Sequence, residues 1–339
     1  MTDFLQKRIF FFLFTGISAV IFLIFTASFA AFLMRPIHIT QPRTIEIQTG
    51  KPFNSIVKQL YDSQLITDQQ KFKILAGIFN ASKKIRAGEY EFKGDMSPYS
   101  VLKILLKGII KQYSIVIPEG FTVKQIFMLL SANGIGKMKR FIELGNDNNF
   151  LKEAKLESNG LEGYLFPDTY IFHKNMKEEE IILKMVQNFN EKTKNLTAET
   201  SRLNMNFKEI VILASIIQKE TFLNEEMPLV SAVFHNRINK KIPLQADPTV
   251  IYSIPDFTGN ILKRDMKIKS PYNTYIYRGL PPGPISNPGF NAINAAMHPA
   301  DASYLYFVSR NDGTHEFSKT LKEHNRFVDI YQKKRKKTH

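Results

Sequence analysis

The stretch LASIIQKET, Leu213 to Thr221, closes a run of apolar residues on a carboxylate, Glu220. At 3.6 residues per turn, Ile210, Leu213, Ala214 and Ile217 share one stripe of a helix, and Glu220 continues it three residues beyond Ile217. A carboxylate is costly to bury, so three states are open to it. It is paired with a cation, placed at an edge that water reaches, or held protonated for a reaction that uses the proton. The third is what glycoside cleavage asks of its acid, a carboxyl group of raised pKa that protonates the leaving oxygen. A helix-ending Glu paired with Lys219 or with a distant arginine satisfies the same pattern without any chemistry.

Other chemistries find no foothold. The sequence has no GxxxxGK[ST], no GxGxxG after a strand, no HExxH and no GxSxG, so phosphate-loop, dinucleotide, zinc-protease and α/β-hydrolase readings lack support. SxxK occurs at Ser55 to Lys58 and at Ser100 to Lys103 without the SDN or KTG that would complete that set. Cysteine is absent, which removes disulfides, thiolate metal sites and a thiol nucleophile. The seven histidines, among them His235, His298, His315 and His324, show no ligand spacing and read as structural or surface residues. No metal and no cofactor is expected.

The groups able to surround Glu220 come from two other textures. LEGYLFPDTYIF (161–172) is aromatic-rich, broken by Pro167, and carries Glu162 and Asp168. From Pro243 onward PLQADPTVIY, SPYNTY and GLPPGPISNPG are rich in Pro, Asn and Gly and read as loops. They carry Gln245, Asp247 and Asn287, suited to hydrogen-bonding a polar ligand, and Tyr272 and Tyr275, suited to stacking on one. Each of these side chains is equally able to pin its own loop.

The elements that must position these residues follow from periodicity. Residues 9–34 hold no charge and exceed the roughly 20 residues that cross a bilayer, so they read as an uncleaved transmembrane anchor after a short tail, residues 1–8. Lys7 and Arg8 on one side nearly balance Arg35 and Arg43 on the other, leaving the orientation open. Residues 35–43 read as a polar, proline-containing linker. A strand, turn and helix pattern then occurs twice, IEIQTGKPFNSIVKQL from Ile45 and IVIPEGFTVKQIFMLL from Ile115, an offset of 70. A blurred third copy runs through GEYEFKGDMSPYSVLKILLKG. Such units resemble LysM-like modules, which hold polymers rich in N-acetylglucosamine; generic α+β packing gives the same pattern. Helices are expected over roughly 177–194, over 207–221, in MPLVSAVFHNRI and in NAINAAMHPA, with a strand in YLYFVSRND that turns at Asn311 to Gly313.

The chain therefore reads as α+β: a transmembrane helix, a small LysM-like module over residues 44–113, a larger catalytic domain over 114–331, and a basic tail, 332–339. Its 46 Lys and Arg against 31 Asp and Glu give a formal charge of +15, and with 44% hydrophobic residues the chain has core to build. That balance suits an anionic partner, and no zinc-finger spacing or RNP-type aromatic motif points to nucleic acid.

LEGYLFPDTY, LASIIQKET, VFHNRI, PLQADPTVIY, SPYNTY, GLPPGPISNPG and YLYFV stand in the order and at about the spacing of the YceG-like family, the endolytic murein transglycosylases, which the chain resembles over nearly everything after the anchor. The resemblance implies a lytic transglycosylase of the bacterial inner membrane, single-pass, with its catalytic domain on the periplasmic side. Glu220 falls on the family's catalytic glutamate. Such enzymes cleave the β-1,4 bond between N-acetylmuramic acid and N-acetylglucosamine and leave 1,6-anhydromuramic ends. One carboxyl group makes both proton transfers, and the nucleophile is the sugar's own C6 hydroxyl. The resemblance further implies peptidoglycan strands as substrate and penicillin-binding proteins of the synthetic complex as partners. Two alternatives remain at this stage: a hydrolytic muramidase in which Asp247 activates water opposite Glu220, and a non-catalytic wall-binding scaffold.

Overall fold

The computed structural model describes residues 2–156, 160–197 and 205–333. The end of the basic tail, residues 334–339, lies outside the described residues. The chain divides into two compact units, one of residues 1–113 with 173–175 and one of residues 114–172 with 176–339.

The first unit opens with α1 (Thr2–Met34), whose span Lys7–Met34 is long and apolar enough to cross a membrane. Phe32, in its last turn, is buried in the core of this unit. Strand β1 (Ile37–Ile47) follows after two residues and pairs antiparallel with β2 (Gly88–Met96). The expected linker over 35–43 is thus mostly strand. Pro42 disguised it: Thr40, Gln41 and Pro42 together oppose only Lys93 at a bulge, where the missing N–H of proline breaks no ladder bond. Between the two strands lie α2 (Phe53–Asp62) and α3 (Gln69–Ile78), and α4 (Pro98–Lys107) follows β2.

Strand β3 (Tyr113–Val116), at the start of the second unit, leads into α5 (Val123–Ala132), so the order of strand, turn and helix recurs. Helices α2 and α5 start and end at the offset of 70, and they bury equivalent side chains, Ile56, Val57 and Leu60 in one and Ile126, Phe127 and Leu130 in the other. Gly50 and Gly120 take left-handed backbone at φ 77° and 75°, a conformation that side chains disfavour. The third copy is legible too, since α4 buries Val101, Leu102 and Leu105 with the same spacing. Among the described residues the first unit is thus a βααβ arrangement preceded by α1 and followed by α4.

The second unit continues through α6 (Met138–Gly145), α7 (Asn148–Glu153), β4 (Thr169–Phe172), which pairs with β3, and α8 (Glu178–Thr197). Then come α9 (Phe207–Glu220), α10 (Met227–Asn239), α11 (Asp247–Tyr252) and α12 (Phe290–Met297). The chain closes with the hairpin β5 (Tyr306–Ser309) and β6 (His315–Ser318) and with α13 (Leu321–Val328). The core is built on α9, against which α10, α11 and α12 pack. Helix α11 corrects the reading of PLQADPTVIY as pure loop: Asp247 and Pro248 open a helix, acid and proline being favoured in a first turn.

Candidate active site

Helix α9 is begun by a reciprocal cap, in which Asn206 accepts from Glu209 N and Glu209 accepts from Asn206 N. Every residue from Ile210 to Gln218 is buried, so the helix is enclosed on all faces rather than along the single stripe expected. Two of its buried polar residues, Ser215 and Gln218, bond to the loop that precedes α12. Ser215 Oγ accepts from Ile285 N at 3.0 Å, Ser286 Oγ donates to Ser215 O, and Gln218 Oε1 accepts from Gly289 N. The helix carrying Glu220 is therefore clamped by three bonds at two of its residues, Ser215 and Gln218.

Glu220 ends α9 and faces a cavity of about 430 Å³. Among the described residues its carboxyl group has no ion pair and no hydrogen bond, and Lys219 turns away to donate to Gly120 O at 3.4 Å. Burial pushes the Glu220 pKa up to about 8, and the nearby charge of Asp247 adds to the rise. Across the cavity Tyr275 donates to Asp247 Oδ1 at 2.5 Å, and Gln245 lies beside them. Gln245 has left-handed backbone, φ 52°, and is fixed by donation of its N–H to Thr274 O. Thr274 Oγ1 also meets Ala246 N and Thr249 Oγ1, so one threonine locks the Gln245–Asp247 turn to the Tyr275 segment. Arg237 backs the wall. It donates to the carbonyls of Leu305, Pro243 and Leu244 and to Gln245 Oε1, and its guanidinium lies 5.0 Å from the centre of the Tyr306 ring. The result is a partly apolar cleft holding one acid of raised pKa beside the hydrogen-bonded Asp247, an arrangement able to serve general acid catalysis.

A family model described as the YceG-like family matches residues 45–330. The chain belongs to the YceG-like family. It is 31% identical over 317 residues to a Bacillus subtilis protein named endolytic murein transglycosylase, covering 88% of each chain. A Streptococcus pneumoniae protein of the same name is 27% identical over 322 residues, which are 84% of this chain and 57% of the pneumococcal one. The crystal structure of a yceG-like protein of Listeria monocytogenes superposes with a TM-score of 0.60 at 31% identity, covering 85% of this chain and 99% of that one.

Not every residue expected at the site of this YceG-like chain reaches the cavity. Asn287 is fully buried and all its hydrogen-bonding capacity is spent: Oδ1 accepts from Gly163 N and Leu165 N, and Nδ2 donates to Phe121 O and to Glu162 Oε1. All four side-chain bonds go to the protein, so the structure places Asn287 as a link between segments. Glu162 belongs to the same network, accepting from Val123 N at the start of α5 and from Tyr252 Oη, and burial raises its pKa to about 8. Asp168 is bound by Asn188 and by Thr169 N at the head of β4, and these bonds hold its pKa below the usual range. Tyr272 packs against Tyr252, ring centres 5.0 Å apart, at the edge of the core. None of these four lines the Glu220 cavity; Gln245, Asp247 and Tyr275 do.

His315, read from sequence as structural or surface rather than metal-binding, lines the cavity, and its Nδ1 lies 2.7 Å from Glu226 Oε2. Nothing in its spacing announced this, because its partner is 89 residues away on the loop between α9 and α10.

Proposed function

We propose that the chain is a membrane-anchored lytic transglycosylase that cuts peptidoglycan strands internally at the β-1,4 bond following N-acetylmuramic acid. Membership of a family whose curated relatives bear the name endolytic murein transglycosylase supports the enzyme class, a peptidoglycan lyase. The observation that carries the residue assignment is the setting of Glu220, a carboxyl group at a cavity wall without a partner among the described residues, whose pKa burial pushes up to about 8.

The chemistry then needs one carboxyl group used twice. Glu220 gives its proton to the bridging oxygen as the bond from that oxygen to C1 breaks, releasing N-acetylglucosamine with a free 4-hydroxyl. The oxocarbenium-like muramic sugar is attacked at C1 by its own C6 oxygen. Glu220, now a carboxylate, takes the C6 hydroxyl proton, so the acid is regenerated and a 1,6-anhydro ring is left without water being consumed. The nucleophile is tethered to its electrophile, which supplies the high effective concentration of an intramolecular step. Asp247, held by Tyr275, supports the acid form of Glu220 by its charge and offsets the positive charge developing on the sugar. Gln245 and Tyr275 offer the sugar a hydrogen-bonding group and a ring face. A metal or cofactor has no part in this scheme.

In this reading α1 is the anchor in the plasma membrane, and all that follows Arg35 lies on the outer side, where the substrate is. The βααβ unit serves as a LysM-like module that holds glycan. The basic balance of the chain suits the wall's carboxylates and acidic lipid head groups. Penicillin-binding proteins, which make the strands, are the partners that such an activity calls for. The test is product mass. The purified full chain in detergent should release fragments with anhydro ends, one water lighter than hydrolytic products, and Glu220→Gln should release none. Hydrolysed ends from the wild type would replace this reading with a muramidase, and full activity of the variant would remove Glu220 from the mechanism.

A further inference from the structure

His315 occupies a place that the one-carboxyl scheme leaves unexplained. Its ring is held from several directions: Nδ1 against Glu226 Oε2, the backbone N–H of the same residue on Glu226 Oε1 at 2.8 Å, and the ring edge-on to Phe307 with centres 5.4 Å apart. Phe317, two residues on, lies 6.5 Å from it. Both members of the pair are largely shielded, with side-chain exposures of 12% and 13%. Glu226 is itself the residue preceding α10, six positions after Glu220. The hairpin that bears His315 is thus tied to the turn leaving the catalytic helix.

A histidine whose Nδ1–H is committed to a carboxylate has a fixed tautomer, and its Nε2 presents a lone pair in a set direction. Here Nε2 has no hydrogen-bond partner among the described residues and is not sealed in, while the residue borders the same cavity as Glu220. The cavity walls combine rings, Tyr306 and Phe307, with isolated polar groups, the composition that accommodates a sugar. A structural histidine would need no such free edge. Surface histidines, conversely, are not clamped by both their backbone and their ring.

We infer that His315 is a substrate-binding residue, its Nε2 accepting a hydrogen bond from a hydroxyl of the glycan in the Glu220 cavity, with Glu226 as the positioning residue that sets the ring. This rests on the reading of the cavity as the glycan site. It adds to that reading a contact contributed by the C-terminal hairpin.

Two substitutions separate contact from scaffold in the purified full chain in detergent. In His315→Asn the amide nitrogen stands near the place of Nδ1, so the bond to Glu226 survives and the cavity-facing group is lost. In His315→Gln the amide reaches the place of Nε2, and the bond to Glu226 is lost instead. A substrate contact predicts that the Asn variant is the weaker, by about tenfold or more in kcat/KM on soluble glycan, the size expected of one lost hydrogen bond to substrate. The Gln variant recovers part of that loss although its melting midpoint is the lower of the two. A purely structural histidine predicts the reverse order. Equal activities in the two variants, or greater activity in the Asn variant, would overturn the inference. Glu220→Gln run beside them tests the cavity reading separately, because its activity does not depend on which His315 variant is the better.

Discussion

Tyr275 donates a hydrogen bond to Asp247 Oδ1 at 2.5 Å, and the carboxylate so held is the charge that adds to the raised pKa of Glu220. Burial is the larger cause and Asp247 the smaller. Asp247→Asn keeps an acceptor for Tyr275 and removes the charge. The alkaline limb of kcat/KM against pH, which reports Glu220 in the free enzyme, should then move to lower pH while staying above the ordinary range of a glutamate. The variant should still make anhydro ends. Loss of all activity, with the limb unmeasurable, would favour the alternative in which Asp247 activates water.

Glu220→Gln should stabilise the fold as it stops the reaction. In the folded chain Glu220 holds its proton to about pH 8, against 4.5 for an ordinary glutamate. Between these values the folded chain binds the more protons, so wild-type stability falls as pH rises through the window and levels off above it. Glutamine does not titrate. The melting midpoint of the variant should therefore gain on the wild type from about pH 5 to about pH 8, with no further gain beyond. Glu162, also raised to about 8, is present in both chains and drops out of the difference. A gap independent of pH would mean that Glu220 is charged in the resting enzyme.

Asn287→Ala should injure the fold and spare the chemistry. Removing the amide leaves Gly163 N and Leu165 N without their partner in a buried place, at roughly 1–3 kcal/mol for each group, while Phe121 O keeps the backbone N–H of residue 287. Urea unfolding should show a loss of about 2 kcal/mol or more. Well below its midpoint the variant should turn over within about threefold of wild type. A stable variant with a large rise in KM would return Asn287 to the list of sugar contacts.

What the sequence disclosed follows from the range of the interactions concerned. Glu220 was legible because its signal is local, an acid closing an apolar run. The repeat was legible because Gly50 and Gly120, and the buried triplets of α2 and α5, recur at one offset. The enclosure of α9 on all faces was present in the letters, since Val211, Ile212 and Ile216 are apolar off the expected stripe. The bonds of Asn287 were not legible because its partners lie more than 120 residues earlier, at Phe121, Gly163 and Leu165, and a residue that pins loops has the same type as one that binds sugar. His315 and Glu226 were hidden for the same reason, joined across 89 residues by a fold that periodicity does not encode.

The last prediction concerns the first unit. The second unit begins at Ser114, so a chain running from Gln112 to His339 keeps α5, the clamped α9 and the whole Glu220 cavity. It should fold and cleave short soluble glycans at close to the wild-type rate. If the βααβ unit holds glycan, it raises the local concentration of any strand long enough to reach both places, and a fragment too short to span them gains nothing. The truncated chain should then lose apparent affinity for long strands, by a rise in KM with kcat little changed, and its preference for long over short substrates should shrink. Unchanged relative efficiency on the two would make the first unit a spacer between membrane and cavity, its repeated strand, turn and helix serving α+β packing alone.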